Sequence, residues 1–165
     1  MNKTIPIVIA IVIVGGVSAY AVSPYFTEST LDEGLPRGAI IQPKNSDIMI
    51  EDEMRQAPIT YSGTFVGVDD GIHDAQGEAY TIPLEDGLSV LRLENFQSTN
   101  GPDLYVYLST DDKASDFINL GELKANRGNQ NYEIPDNADL TKYTNVLIWC
   151  KAFGVLFGRA EISPH

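Results

Sequence analysis

Residues 145–162 read NVLIWCKAFGVLFGRAEI. Two runs rich in Val, Leu, Ile, Trp and Phe stand on either side of Ala152, Phe153 and Gly154. That spacer is short enough to fold back as a β-hairpin, with Gly154 supplying a turn conformation that other residues resist. Side chains alternate across a strand, so Val146, Ile148 and Cys150 share one face while Leu147, Trp149 and Lys151 share the other. A lysine prefers water, which turns Cys150 inward. This is the chain's one cysteine, and two readings of it stand: a small hydrophobe packed in a core, or a thiol or thiolate ligand with redox chemistry. Lys151 and Arg159 lie close by in sequence, and a cation facing a thiol favours its ionised form.

Upstream of the hairpin the same grammar of short runs and turns repeats. Strands are expected over residues 61–68, 77–82, 89–96, 103–110, 117–120, 131–134, 145–151 and 155–162. The turn-rich segments between them include Asp69-Asp70-Gly71, Glu85-Asp86-Gly87, Asn100-Gly101-Pro102 and residues 126–129. In DLYVYLST (residues 103–110), Leu104, Val106 and Leu108 face one way and Tyr105 and Tyr107 the other, the pattern of a half-buried antiparallel strand. The two tyrosines are expected to cover the outer face of a sheet or meet a second layer. About eight short strands with no convincing long helix among them predict an all-β fold, an antiparallel sandwich or barrel-like domain.

Ahead of this domain, residues 5–22 (IPIVIAIVIVGGVSAYAV) form an uncharged, mostly apolar run preceded by Lys3. A cleavable signal has an apolar region of about 7–15 residues and a spanning helix needs about 20, so the run is nearer an anchor. Ala19-Tyr20-Ala21 nevertheless fits a small-x-small cleavage site. Residues 1–22 are thus expected to be a signal anchor or signal peptide. The domain then lies outside a cell membrane crossed once, or is secreted if the signal is cut. Residues 23–59, with scattered Pro, Gly and charge, are expected to be an extracytoplasmic linker, with a short helix over residues 46–56.

The chain of 165 residues is 43% hydrophobic, enough for one cored domain. Its 23 acidic against 11 basic residues give a formal charge of −12, which repels nucleic acid and anionic lipid. No G-x-S-x-G elbow is present, and the two histidines are His73 and His165. A thiol hydrolase pairing Cys150 with His73 would need the fold to bring them together. Cys150 has no nearby His or Met, which argues against a blue-copper centre, and the ligand count argues against structural zinc; no metal site is expected. Asp69, Asp70 and Asp74 around Gly71 raise calcium, although Asp and Gly are also ordinary turn formers.

Several motifs taken together resemble a known family. GTFVG (residues 63–67), LENF (93–96), GPDLYVYLS (101–109), LGELKANRGNQNYEIP (120–135) and VLIWCKAFGVLFGRAEI (146–162) are similar to the DM-thirteen domain of Skeletor-like extracellular proteins. The resemblance covers about residues 60–162. It implies an extracytoplasmic β domain active in electron transfer, whose motif cysteine corresponds to Cys150, as a bare thiol or as the ligand of a prosthetic group such as haem. Trp149, Lys151 and Phe153 are then candidate surroundings of that group. Family members often carry the domain beside cytochrome-like domains, whereas nothing after Ile162 resembles one, so the redox partner is expected to be a separate protein. The reading is a membrane-tethered, extracytoplasmic redox accessory. Its alternative is a cell-surface binding or structural module, docking another surface protein, in which Cys150 only fills the core. Enzymatic turnover follows from neither.

Overall fold

The computed structural model of the chain describes residues 28–40 and 60–165. The apolar run at residues 5–22 and the short helix expected over residues 46–56 lie outside them. Among the described residues nine strands form: β1 (Tyr61–Gly67), β2 (Ala75–Pro83), β3 (Ser89–Ser98), β4 (Leu104–Ser109), β5 (Phe117–Glu122), β6 (Arg127–Ile134), β7 (Asn145–Cys150), β8 (Val155–Glu161) and a two-residue β9 (Ser163–Pro164). All the strand pairs are antiparallel, in the order β5-β4-β7-β8-β1-β2-β3-β6, with β9 added to β1. The expected all-β domain is therefore a single rolled sheet, a nearly closed barrel whose seam lies between β5 and β6.

Rolling is achieved at β1 and at the bulges. Residues 62–64 of β1 pair with β2, while residues 65–67 pair with β8, so the strand changes partners halfway and turns a corner. The crossing leaves no room for side chains on its glycines. A Cβ on Gly63 would lie 2.2 Å from the Glu161 carbonyl oxygen, and one on Gly158 would lie 2.4 Å from the Ala75 Cβ. A bulge between β2 and β3 places Gly77 at φ +115° and Asn95 at φ +49°. Such irregularities increase local twist and let a sheet curl onto itself.

The inward faces of β1–β4 and β6–β8 form one core, including Phe65, Leu91, Phe96, Val106, Ile148 and Phe157, with Ile118 and Leu120 of β5 packed against it. The alternation expected for β4 is found. Leu104, Val106 and Leu108 point in, Tyr105 pairs outside with Glu122, and Tyr107 is buried on the outer side by stacking on Phe117 at 4.2 Å. The hairpin turn is also as expected: Gly154 sits at φ +64° and its N–H donates to the Cys150 carbonyl.

Residues 126–129 are a correction, since β6 begins at Arg127 rather than after a turn. Their Asn and Gly serve a different purpose. Residues 29–33 run parallel to β6 along its free edge, with Leu31 and Glu33 N–H groups donating to the Arg127 and Asn129 carbonyls. Gly128, at φ +104°, allows the approach, because a Cβ there would lie 2.1 Å from the Leu31 carbonyl oxygen. The Glu33 carboxylate accepts from Lys124 Nζ at 2.9 and 3.0 Å and from the Asn131 N–H. Arg92 Nη1 donates to the Glu33 and Gly34 carbonyls. This strap then continues to Ala39, which bridges Leu84 at the other end of the barrel. It covers an edge that would otherwise expose unpaired backbone.

The corner makes a specific demand. Gly158→Ala should lower the unfolding free energy by about 1–3 kcal/mol, because the three atoms its Cβ would meet, the Val66 carbonyl oxygen and the Ala75 N and Cβ, belong to fixed backbone or a buried Cβ. Urea unfolding with an unchanged midpoint would contradict the packing described.

Candidate functional site

Cys150 ends β7 with Leu104 of β4 and Val155 of β8 as its cross-strand partners. Alternation sends its side chain into the core beside Val146 and Ile148, and it is 1% exposed. Its thiol donates to the Pro102 carbonyl oxygen at 3.0 Å. The backbone beside it is tied to the same loop, with the Lys151 N–H donating to the Asp103 carbonyl. Asp103 itself holds φ +58°, an uncommon conformation for a residue with a side chain.

That loop, residues 99–103, lies across the end of the barrel and is stitched to its neighbours. The Thr99 N–H donates to the Asp74 carbonyl, and Thr99 Oγ1 accepts from the Asp74 N–H, joining it to the β1–β2 loop. Asn126 Nδ2 donates to Asn100 Oδ1, joining it to the β5–β6 loop. Beneath Gly101 lies the Phe157 ring, which a Cβ on Gly101 would meet at 2.5 Å. Phe157 reaches that position through a bulge: Trp149 pairs with Leu156 and Ile148 with Gly158, leaving Phe157 extra and turned inward. His73 packs on the same ring at 4.4 Å between centroids.

The β5–β6 loop is held from inside by Gln130, which is 0% exposed. Its amide donates to the Ala125 carbonyl, and its carbonyl oxygen accepts from the Ala125 N–H and the Tyr132 hydroxyl. Tyr132 in turn accepts from the Lys124 N–H, while burial raises its phenol above the usual range.

Alternation also sets the places of the other candidate residues. Trp149 is half-buried on the outer face, in register with Tyr105 and Leu156. Lys151 holds Nζ 4.8 Å from the centroid of the Tyr105 ring on that same face. Phe153 is 72% exposed at the hairpin tip. Arg159 is in register with Leu147 on one side and Val66 on the other, again outward. The strand thus turns Trp149, Lys151 and Arg159 away from the sulfur, and the atom that meets it is a backbone carbonyl of a loop far earlier in the chain.

His73 and Cys150 share one end of the barrel, but no hydrogen bond joins them. His73 Nδ1 lies 2.6 Å from Asp70 Oδ2, and Asp70 Oδ1 accepts from the Ile72 and His73 N–H groups. These bonds account for the β1–β2 loop: Asp70 is spent on a side-chain-stabilised turn closed by Gly71 at φ +74°. Among the described residues no three His, Cys, Asp or Glu side chains are grouped to hold a metal ion. A cleft of about 410 Å³ runs along this loop beside Thr99, and another of about 400 Å³ lies at the seam between Pro36, Leu120 and Tyr132. Cys150 lines neither. A prosthetic group on the sulfur, haem included, does not fit this arrangement: the sulfur is all but covered, lies against the Pro102 carbonyl and lines neither cleft.

Gln130→Met should cost about 1–3 kcal/mol for each buried partner it leaves unpaired, several in all, which chemical denaturation will read; a loss below one such increment would contradict the cluster's role. Asp70 is pulled from 3.8 to about 2 by the His73 N–H, the His73 ring and the Ile72 N–H. A carboxyl depressed on folding stabilises above its unfolded pKa, and that contribution is lost as pH falls through the folded one. The β1–β2 loop should therefore keep its Asp70 contacts at pH 4 and lose them towards pH 2. An NMR titration midpoint near 4 for Asp70 would contradict the turn.

No curated protein and no solved structure matches this chain. A family model described as electron transfer DM13 matches residues 65–162, from Phe65 at the corner of β1 through Cys150 to the end of the core, more than half of the chain. The rolled sheet and its buried cysteine thus belong to a member of the electron transfer DM13 family.

Proposed function

We propose that this chain is a membrane-tethered electron-transfer module working on the outer side of the membrane, with Cys150 as its redox group. Family membership supports the electron-transfer role, and the apolar run at residues 5–22 supports the tether and the location. The observation that carries the role of Cys150 is its position at the last residue of β7, at an end of the barrel, in direct contact with the Pro102 carbonyl of the loop at residues 99–103. A thiol deep in the middle of the core would meet no such loop.

The chemistry available to it is thiol–disulfide exchange with a separate redox protein. The Cys150 sulfur forms a bond to one sulfur of a partner disulfide, the partner's S–S bond breaks, the departing sulfur takes up the proton, and Cys150 is left in a mixed disulfide that a second thiol returns to its reduced form. In the closed arrangement the thiol proton is engaged by Pro102 and the sulfur is covered, so exchange requires residues 99–103 to swing away. Local opening of a loop is far less costly than unfolding the sheet beneath it.

The near-complete burial of Cys150 favours a second reading, a surface binding or structural module in which the cysteine only packs. The two part on one experiment. The folded chain, incubated with oxidised glutathione, should gain a single glutathionyl group at Cys150, removable by reduced thiol and absent from Cys150→Ser. Modification that needs denaturant, together with full retention of partner binding by Cys150→Ala, would favour the packing role instead.

A further inference from the structure

We infer that the barrel stands on its own membrane with the Cys150 end down, the tips Ile72 and Phe153 reaching the lipid headgroup layer. This rests on the tether proposed above and adds the orientation and the surface that meets lipid. The strap decides the polarity. Its first described residue, Glu28, pairs through Arg127 with the start of β6, the end of the barrel that also holds Cys150, the β1–β2 loop and the β7–β8 turn. Its last, Ile40, donates to the Pro83 carbonyl at the opposite end.

Between Val22, where the apolar run stops, and Glu28 stand residues 23–27 alone. Six Cα steps reach at most roughly 22 Å, which is less than the length of β6, at about 3.3 Å per residue, plus the loops at either end. The strap is fastened along its length by the Glu33 clasp on Lys124 and Asn131 and by Arg92, so this slack is not extended by peeling it off. The Cys150 end is therefore the one delivered to the bilayer.

The two ends differ in the way this demands. Ile72 and Phe153 are each 72% exposed, at the tips of loops that join neighbouring strands on the rim. Large apolar side chains at such tips suit the interfacial region of a membrane. The loops of the Cys150 end, residues 68–74, 99–103, 123–126 and 151–154, carry four aspartates and two lysines. Those of the far end, residues 84–88, 110–116 and 135–144, carry seven carboxylates and two lysines. A membrane surface with any anionic lipid repels the far end more strongly. One consequence is that a protein that exchanges electrons with Cys150 meets it beside the membrane surface.

The test uses the full chain in nanodiscs of zwitterionic phosphatidylcholine doped with headgroup-nitroxide lipid, a contact quencher of tryptophan. The chain has one tryptophan, so Trp149→Phe provides a dark background into which Ile72→Trp, Phe153→Trp or Leu88→Trp is placed singly. Leu88 is 42% exposed at the far end, which makes it the control. Quenching severalfold stronger at residues 72 and 153 than at residue 88 is expected. Equal quenching, or stronger quenching at residue 88, in a chain that is retained in the nanodisc would overturn the orientation and leave the tether standing. A chain that is not retained at all, with a mature terminus near Val22, would overturn both.

Discussion

An unpaired sheet edge exposes a row of N–H and C=O groups that something must satisfy, and on this barrel one such row belongs to β6. Residues 29–33 satisfy it as a short parallel partner, and Gly128 is the residue that lets them come close enough. Much follows from this one pairing. It lines the β6 side of the seam, it draws Lys124, Asn131 and Arg92 into a clasp on Glu33, and it sets residues 28–33 at the end of the barrel where β6 begins. Without the strap, β6 would be an open template for other strands.

The position of Cys150 follows from a second constraint, the two-residue period of a strand. That period makes Cys150 inward because Lys151 is outward, and it also carries Trp149 and Lys151 to the far side of the sheet. What remains near the sulfur is backbone: the Pro102 carbonyl above it and the strands β4 and β8 beside it. Phe157, displaced inward by its bulge, supports the loop from below, and Gln130 holds the adjoining loop from inside. The sulfur lies under a single loop, so that under the redox role proposed above access to it depends on motion of that loop.

Much of the fold was legible in the residues because alternation and turn chemistry agree along the domain. Leu104, Val106 and Leu108 announce an inward face, and Gly154, Gly71 and Gly87 mark turns that all need positive φ. The misreading at residues 126–129 has a plain cause. Asn and Gly look like a turn in isolation, and their partner strand lies nearly a hundred residues earlier, in a stretch with no strand pattern of its own. The cap over Cys150 was hidden for the same reason: Gly101-Pro102 stood out as a turn, but only the topology shows which cysteine it covers. Gln130, between Asn129 and Asn131, carried no signal that it points inward.

The central claim is that Cys150 is reached by opening residues 99–103 while the rest of the barrel stays folded. The rate at which the thiol reacts with a small alkylating reagent, followed in urea well below the unfolding transition, tests this most directly. Local opening exposes little surface, so the rate should be nearly independent of urea until the global transition begins. A rate that rises from the lowest urea concentrations with the slope of global unfolding would mean that only the unfolded chain shows its sulfur, and Cys150 would then be a packing residue.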